Sequence, residues 1–258
     1  MKIMLKESLE NQVFHVVENY AHRAEAIEVG CASCKVRSLC WPKELSPQEL
    51  DLIEELVVVR RKVKRGGTLV RNDQQFTSLY AVRSGFFKTH VVAKNGREQV
   101  IGFQMAGDVM GLDGIEKGQH TCNAVALEDS EVCVMPFHQI EELSRKVIPL
   151  NRHIHKMMSQ EITLKRRVIL WLGSMRSEER IAAFLLNLID QLHARGFSKK
   201  EIILRMTREE IGSLLSLNLE TVSRTFSKFS TDGILEVNHR HLHILDMNAL
   251  RDKANPAV

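Results

Sequence analysis

One uninterrupted helical pattern, over residues 144–173, most constrains how this chain can fold. Leu150, Ile154, Met157, Glu161, Leu164, Val168 and Trp171 recur at alternating spacings of four and three, and Met158, Ile162, Lys165, Ile169 and Leu172 form a second row beside them. Two adjacent stripes fit a helix that packs on its own domain with one face and on a second helix with the other. Met158, Ile162, Lys165 and Ile169 are therefore the expected dimer interface. A single buried helix within one subunit is the plainer alternative, since heptad-like spacing alone does not establish an oligomer.

The text on either side differs in kind. From residue 57 to 136, short β-prone runs alternate with turn signals, among them Gly66-Gly67, Asn72-Asp73, Ser84-Gly85 and Ala106-Gly107-Asp108. Strands at this spacing predict an all-β roll or barrel. Its best hairpin runs from Phe87 to Phe103 around Asn95-Gly96, a pair suited to a type I′ turn. A short helix precedes the roll, opened by Ser46 with Glu49 three residues on. After the long helix come three shorter ones, near 178–194, 208–215 and 219–230, and a hairpin pairing 234–237 with 241–246. The fold class is α+β. The expected divisions are an N-terminal extension with a cysteine segment at 1–43, a β-roll sensory domain at 44–143, the dimerisation helix at 144–173, and a winged helix-turn-helix domain at 177–258. Residues 1–30 read as an amphipathic helix with no assigned role.

The helix-turn-helix is written in its caps. Thr207-Arg208-Glu209-Glu210 has the capping-box form, so a helix should start at Arg208. Ser216-Leu217 make a tight turn, and Asn218 suits the N-cap of the next helix. There Leu219, Val222, Phe226 and Phe229 form an apolar face, with Glu220, Ser223, Arg224 and Ser227 opposite. The second helix of such a pair enters the major groove. Arg224 can donate twice to guanine, Glu220 can accept from cytosine, and Ser223 can meet a thymine. Arg205, Arg208 and Lys228 flank the helix and can meet phosphates.

Charge and composition exclude several classes. Hydrophobic residues at 44% and charged residues at 26% are ordinary for a globular protein. No apolar run approaches the ~18 residues of a spanning helix. Lys2, Lys6, Glu7, Glu10 and Glu18 interrupt the start, so it lacks a signal-peptide core. The expectation is a cytoplasmic protein without a membrane partner. The net charge of +4 is uneven: residues 144–176 hold eight basic side chains and one acidic. No P-loop, GxGxxG or catalytic triad is present, so the chain does not read as an enzyme.

The cysteines leave the chemistry open. Cys31, Cys34 and Cys40 precede the roll at C-x2-C-x5-C spacing, and Cys122 and Cys133 lie near its end. Thiolates so spaced bind soft metals. Zinc, an iron–sulfur cluster on four thiolates, and reactive thiols all fit.

Taken together these features resemble one family. The C-x2-C-x5-C element, Val132-Cys133-Val134-Met135-Pro136-Phe137, Ser78-Leu79-Tyr80-Ala81-Val82-Arg83-Ser84-Gly85, Glu179-Arg180-Ile181-Ala182-Ala183-Phe184 and Leu219-Glu220-Thr221-Val222-Ser223-Arg224 resemble the fumarate and nitrate reduction regulators (FNR). These form the oxygen-responsive branch of the CRP/FNR superfamily of bacterial transcription factors. The resemblance spans roughly residues 31–250. It implies a cyclic-nucleotide-binding-like jelly roll, and a [4Fe–4S] cluster held without oxygen by Cys31, Cys34, Cys40 and Cys133. It further implies a homodimer, recognition of TTGAT-N4-ATCAA DNA by Glu220, Ser223 and Arg224, control of genes of anaerobic metabolism, and contact with RNA polymerase, for which the tip Lys94–Arg97 is a candidate. The superfamily's Gly-Glu and Arg-Ser/Thr nucleotide signature is absent: Gly107-Asp108 and Thr121-Cys122-Asn123-Ala124 stand in its place, so no cyclic nucleotide is expected.

Some residues depart from the pattern or read plainly. Lys35 follows the second cysteine where a small polar residue is common, and Lys165 stands where the family has an acid, so a like-charge pair should oppose association. Leu39 reads as a shield for the cluster or a packing residue. Cys122 reads as a small roll residue, Arg60–Arg65 as a solvated strand edge, His153 and His155 as surface groups, and His239, His241 and His243 as wing residues. The rivals are a thiol- or zinc-based regulator of the same fold and, from another class, an iron–sulfur enzyme or electron carrier.

Overall fold

The computed structural model describes Cys31, residues 34–56 and residues 59–254. The amphipathic helix expected at 1–30 lies outside the described residues.

The chain begins with a one-turn helix α1 (Arg37–Cys40) and α2 (Pro47–Leu56). The N-terminus of α2 is capped as its sequence dictates: Ser46 Oγ accepts from Glu49 N–H at 3.2 Å, and Ser46 N–H donates to Glu49 Oε2 at 2.8 Å. Eight antiparallel strands follow: β1 (Val59–Val63), β2 (Thr68–Val70), β3 (Ser78–Ser84), β4 (Phe86–Val92), β5 (Glu98–Met105), β6 (Val109–Met110), β7 (Asn123–Ala126) and β8 (Ser130–Pro136). They form two four-stranded sheets, β1-β8-β3-β6 and β2-β7-β4-β5, which close a jelly roll. Alternation along the strands fills it. Tyr80, Val82, Phe87, Val132 and Val134 face inward, while Leu79, Ala81 and Met135 face out toward a second core with α2.

The β4–β5 hairpin sits where expected, but its turn differs. Gly96 N–H bonds Ala93 O at 2.8 Å, and only Gly96 takes positive φ (80°) there, so Asn95 is not in the mirror-turn conformation. An ordinary turn closed by a glycine bulge carries the strand twist equally well.

The long helix also starts later than the expected boundary at residue 144. α3 (Phe137–Lys146) ends at Val147, which is extended, and α4 (Ile148–Ser174) begins beyond it. Pro149 has no N–H to continue an earlier helix, but fits a first turn. Leu150 and Trp171 are buried at the two ends of the stripe facing the domain. On the other stripe, Ile162 and Ile169 are 59% and 68% exposed. Lys165 does not project from that stripe as a bare cation: its ammonium donates to Ile101 O at 2.9 Å and pairs with Glu161 at 3.1 Å. The local carboxylate thus neutralises much of the repulsion expected of it.

The C-terminal part comprises α5 (Ser177–His193), β9 (Glu201–Ile203), α6 (Arg208–Leu215), α7 (Leu219–Thr231), β10 (Leu235–Asn238), β11 (His241–Ile244) and α8 (Met247–Ala254). The wing is a three-stranded sheet, β10-β11-β9, rather than a lone hairpin. One apolar core continues from Phe86, Val100 and Met105 of the roll into Phe184, Leu188 and Leu214 of this part. Polar ties reinforce it. Val100 N–H donates to Ser213 Oγ at 2.8 Å, Arg195 to Ala106 O at 2.6 Å and to Asp108 at 2.5 Å, and Lys88 pairs with Glu210 at 3.0 Å. No helix among the described residues is long and apolar enough to cross a membrane.

Candidate cysteine site and nucleic-acid interface

The sheet pleat decides where Cys133 goes. Its neighbours Val132 and Val134 point into the roll, so Cys133 points out of the opposite face. There it stands directly between Arg60 of β1 and Ala81 of β3. Cys31 and residues 34–41 cover this face through successive turns. Cys34 N–H donates to Cys31 O at 3.1 Å, Arg37 N–H to Cys34 O at 3.1 Å, and Cys40 N–H to Val36 O at 3.2 Å. The result is one small cavity lined by Cys31, Cys34, Cys40 and Cys133, with Val36, Trp41, Ala81 and Met135 as apolar walls and Arg37 and Arg83 as cations.

The thiols are held in a costly setting. Burial pushes Cys40 up to about 12, and the other three cysteines push the same way. Burial likewise pushes Cys133 up to about 11 and raises Cys31. Crowded thiolates in an apolar cavity are stabilised when a metal core supplies positive charge, so the donor set fits an iron–sulfur cluster. A mononuclear zinc site needs every sulfur ~2.3 Å from one point. Among the described residues no group of three or more His, Cys, Asp or Glu is gathered to hold a metal ion as it stands, for zinc and for a cluster alike.

The site touches the long helix. His153 Nε2–H donates to Cys40 O at 2.9 Å, and its ring lies 6.4 Å from that of Trp41. Burial lowers the His153 pKa; it is a supporting contact and not a surface group. Leu39 does not line the cavity but packs on the turn at Gly107, where an added Cβ would lie 2.5 Å from Leu39 Cβ. Lys35 is exposed. Cys122 is buried elsewhere in the roll, its thiol directed at Asp113 at 3.6 Å. The roll interior is packed with Tyr80 and Phe87, 1% and 0% exposed.

The second site is built by two caps. Thr207 Oγ1 accepts from Glu210 N–H at 3.1 Å and Thr207 N–H donates to Glu210 Oε2 at 2.8 Å. Ser216 takes φ 54° in the turn, and Asn218 Oδ1 accepts from Thr221 N–H at 2.7 Å. Val222, Phe226 and Phe229 bury α7, but Leu219 is 53% exposed because the first turn of α7 projects beyond the core. Glu220, Ser223 and Arg224 share its outer face. Arg224 pairs with Glu220 at 2.5 Å, with side chains 77% and 68% exposed. An exposed pair of this kind contributes only about 0.3–0.5 kcal/mol, so it is easily exchanged for another partner. Arg208 stacks over Phe226 at 5.4 Å, and Lys228 pairs with Glu178 at 2.6 Å. Arg205 instead turns to the roll and pairs with Glu128 at 3.2 Å.

The sequence pattern does not announce β9, α8 or the Arg195 tie. The Asp246 carboxylate, which accepts from Asn248 and Ala249 N–H at 2.9 Å each, is the one local signal for α8.

Residues 60–146 match the cyclic nucleotide-binding domain, and residues 179–253 the Crp-like helix-turn-helix domain. Transcriptional regulatory protein btr of Bordetella pertussis is 42% identical over 221 residues, 86% of this chain and 91% of that protein. The fumarate and nitrate reduction regulatory protein of Escherichia coli K12 is 38% identical over 226 residues, 88% of this chain and 90% of that protein. Among solved structures, FixK2 from Bradyrhizobium japonicum aligns with a TM-score of 0.72 at 26% identity, covering 78% of this chain and 98% of that one. With a Crp-like helix-turn-helix and such identity over most of its length, the chain belongs to the CRP/FNR family of transcriptional regulators, among the FNR-like anaerobic regulators, and is not an enzyme.

Proposed function

We propose that this protein is an oxygen-responsive transcriptional regulator whose Cys31, Cys34, Cys40 and Cys133 hold a [4Fe–4S] cluster in the absence of oxygen. The observation that carries the reading is the convergence of these four cysteines on one cavity between the 31–41 segment and the roll. When bound there, the cluster supplies oxygen-reactive iron–sulfur chemistry. Ligation by the loop cysteines and Cys133 pins the segment against β8. The Cys40 carbonyl, which accepts from His153, ties that same segment to the first turns of α4. The row of half-buried Met158 and exposed Ile162 and Ile169, with Lys165 beside it, is the seam on which a second copy packs. Pairing there sets two α7 helices one DNA turn apart, as a palindrome of the form TTGAT-N4-ATCAA requires. RNA polymerase is the downstream partner, with the tip Lys94–Arg97 as a contact, and the protein acts in the cytoplasm. A cyclic nucleotide has no role, in keeping with the filled roll interior and the missing signature residues.

The recognition helix gives its own prediction. Arg224→Ala should weaken binding of the palindrome by ~1–3 kcal/mol and relax preference at one base pair. A binding titration against sites varied at each position checks this; an unchanged preference would reject the assignment.

The direct test of the sensor is purification without oxygen, with iron, acid-labile sulfide, visible absorbance and oligomeric state followed on admission of air. About four iron and four sulfide per chain, bleaching in air as the dimer weakens, support the reading. One zinc per chain, or metal-free protein that dimerises and binds DNA regardless of air, would replace it with the zinc- or thiol-based alternative.

A further inference from the structure

Two arginines of the sheet stand beside the cysteine cavity with hydrogen-bonding capacity left over. β1 and β8 pair Arg60 directly with Cys133, and β3 places Arg83 two residues beyond Ala81, the partner of Cys133 on its other side. Both guanidinium groups are therefore on the outward face, under the cysteine segment. Arg83 pairs with Glu131 and also reaches the Cys34 sulfur. Even so, Arg83 Nε and Arg60 Nη1 are buried and make no hydrogen bond. A buried N–H without an acceptor forfeits its hydration with nothing in return, and native structures rarely keep one without a reason. The run Arg60–Arg65 is thus not uniformly a solvated edge: Lys64 and Arg65 are exposed, whereas Arg60 is half-buried, stands in register with Cys133 and lies near enough for its charge to act on that thiol.

The chemistry of the neighbouring site provides the missing acceptor. Four thiolates outweigh the positive charge of an iron–sulfur core, so the loaded site is anionic. Sulfur accepts hydrogen bonds, and such bonds and nearby charge set the potential of these centres. The acidic groups felt at the cavity, Glu54 at Cys31 and Asp108 at Cys40, oppose that charge rather than balance it. We propose that Arg60 and Arg83 are positioning residues of the loaded site, their free guanidinium N–H groups directed at its sulfur and their charge offsetting its anionic character. The proposal rests on the four-cysteine reading above. It adds two residues from β1 and β3, elements that carry none of the four thiols.

The experiment uses the full chain reconstituted under argon with ferrous iron and sulfide. Arg60→Gln, Arg83→Gln, the corresponding lysine variants and Glu131→Gln are compared by midpoint potential and by iron lost to a ferrous chelator. Loss of either guanidinium should shift the potential to more negative values and lower iron affinity roughly tenfold or more, the usual scale for groups that support metal ligands. The lysine variants, which keep the charge and the fold, should recover most of the potential. Glu131→Gln removes the same ion pair from its other end, so the potential should move the opposite way. Equal effects of Arg83→Gln and Glu131→Gln would show that the pair matters only to the sheet, and would overturn the proposal. So would potentials in both arginine variants matching the parent, or lysine variants no better than glutamine. If the parent itself takes up no iron and sulfide, the four-cysteine reading fails and the proposal with it; if the parent loads and the arginine variants do not differ, only the proposal fails.

Discussion

Cys34→Ala is expected to abolish oxygen-sensitive binding of the TTGAT palindrome while leaving the fold intact. The position separates ligation from packing. Cys40 is 8% exposed and belongs to the core under α2, so truncating it would also open a cavity. Cys34 is half-buried in a turn and absent from that core. On the proposed ligation, losing it leaves three donors where a cubane needs four, and iron should fall well below the parent's content. DNA binding under argon and far-UV circular dichroism check both halves of the expectation. Anaerobic binding at the parent's affinity would remove Cys34 from the sensor.

Phe229→Ala is expected to destabilise the protein by ~3–5 kcal/mol. Phe229 is 0% exposed, and its carbonyl accepts from Ile234 N–H at 2.9 Å where the chain leaves α7 for the wing. The core it occupies also includes Phe86, Val100 and Met105 of the roll, so one broadened loss of structure should involve both parts. Leu219→Ala on the same helix should change stability by no more than about 0.5 kcal/mol, because its side chain is 53% exposed. Denaturant midpoints compare the two directly. A small effect at Phe229 would mean that the recognition helix is not held by its apolar face.

The DNA-reading pair is legible in the sequence alone. Thr207, Glu210 and Asn218 announce both of its helices because a cap is local chemistry: acceptor and donor lie three residues apart. The alternation of Val132, Cys133 and Val134 likewise sets Cys133 apart from its neighbours. Register is different. Nothing in Arg60 says that it lies opposite Cys133, since that follows from how the first and last strands of the roll slide against each other. Lys165 shows the same limit. Its place on the helix is legible, but its turn back to Ile101 depends on where the roll sits. The boundary at Val147 is hidden because the apolar stripe runs on through Leu143, while a single proline ends the hydrogen-bond ladder.

The turn at residues 106–108 has a mechanical consequence. On one side Leu39, one residue before Cys40, packs over Gly107, whose φ of 92° and closeness to Leu39 leave no room for a side chain there. On the other it is moored to the end of α5 through Ala106 O and Asp108 by the single guanidinium of Arg195. It is a strut between the cysteine loop and the DNA-reading half, internal to one polypeptide. The contacts joining the cysteine loop to α5 cross no subunit boundary, so an isolated protomer already has both ends of the link.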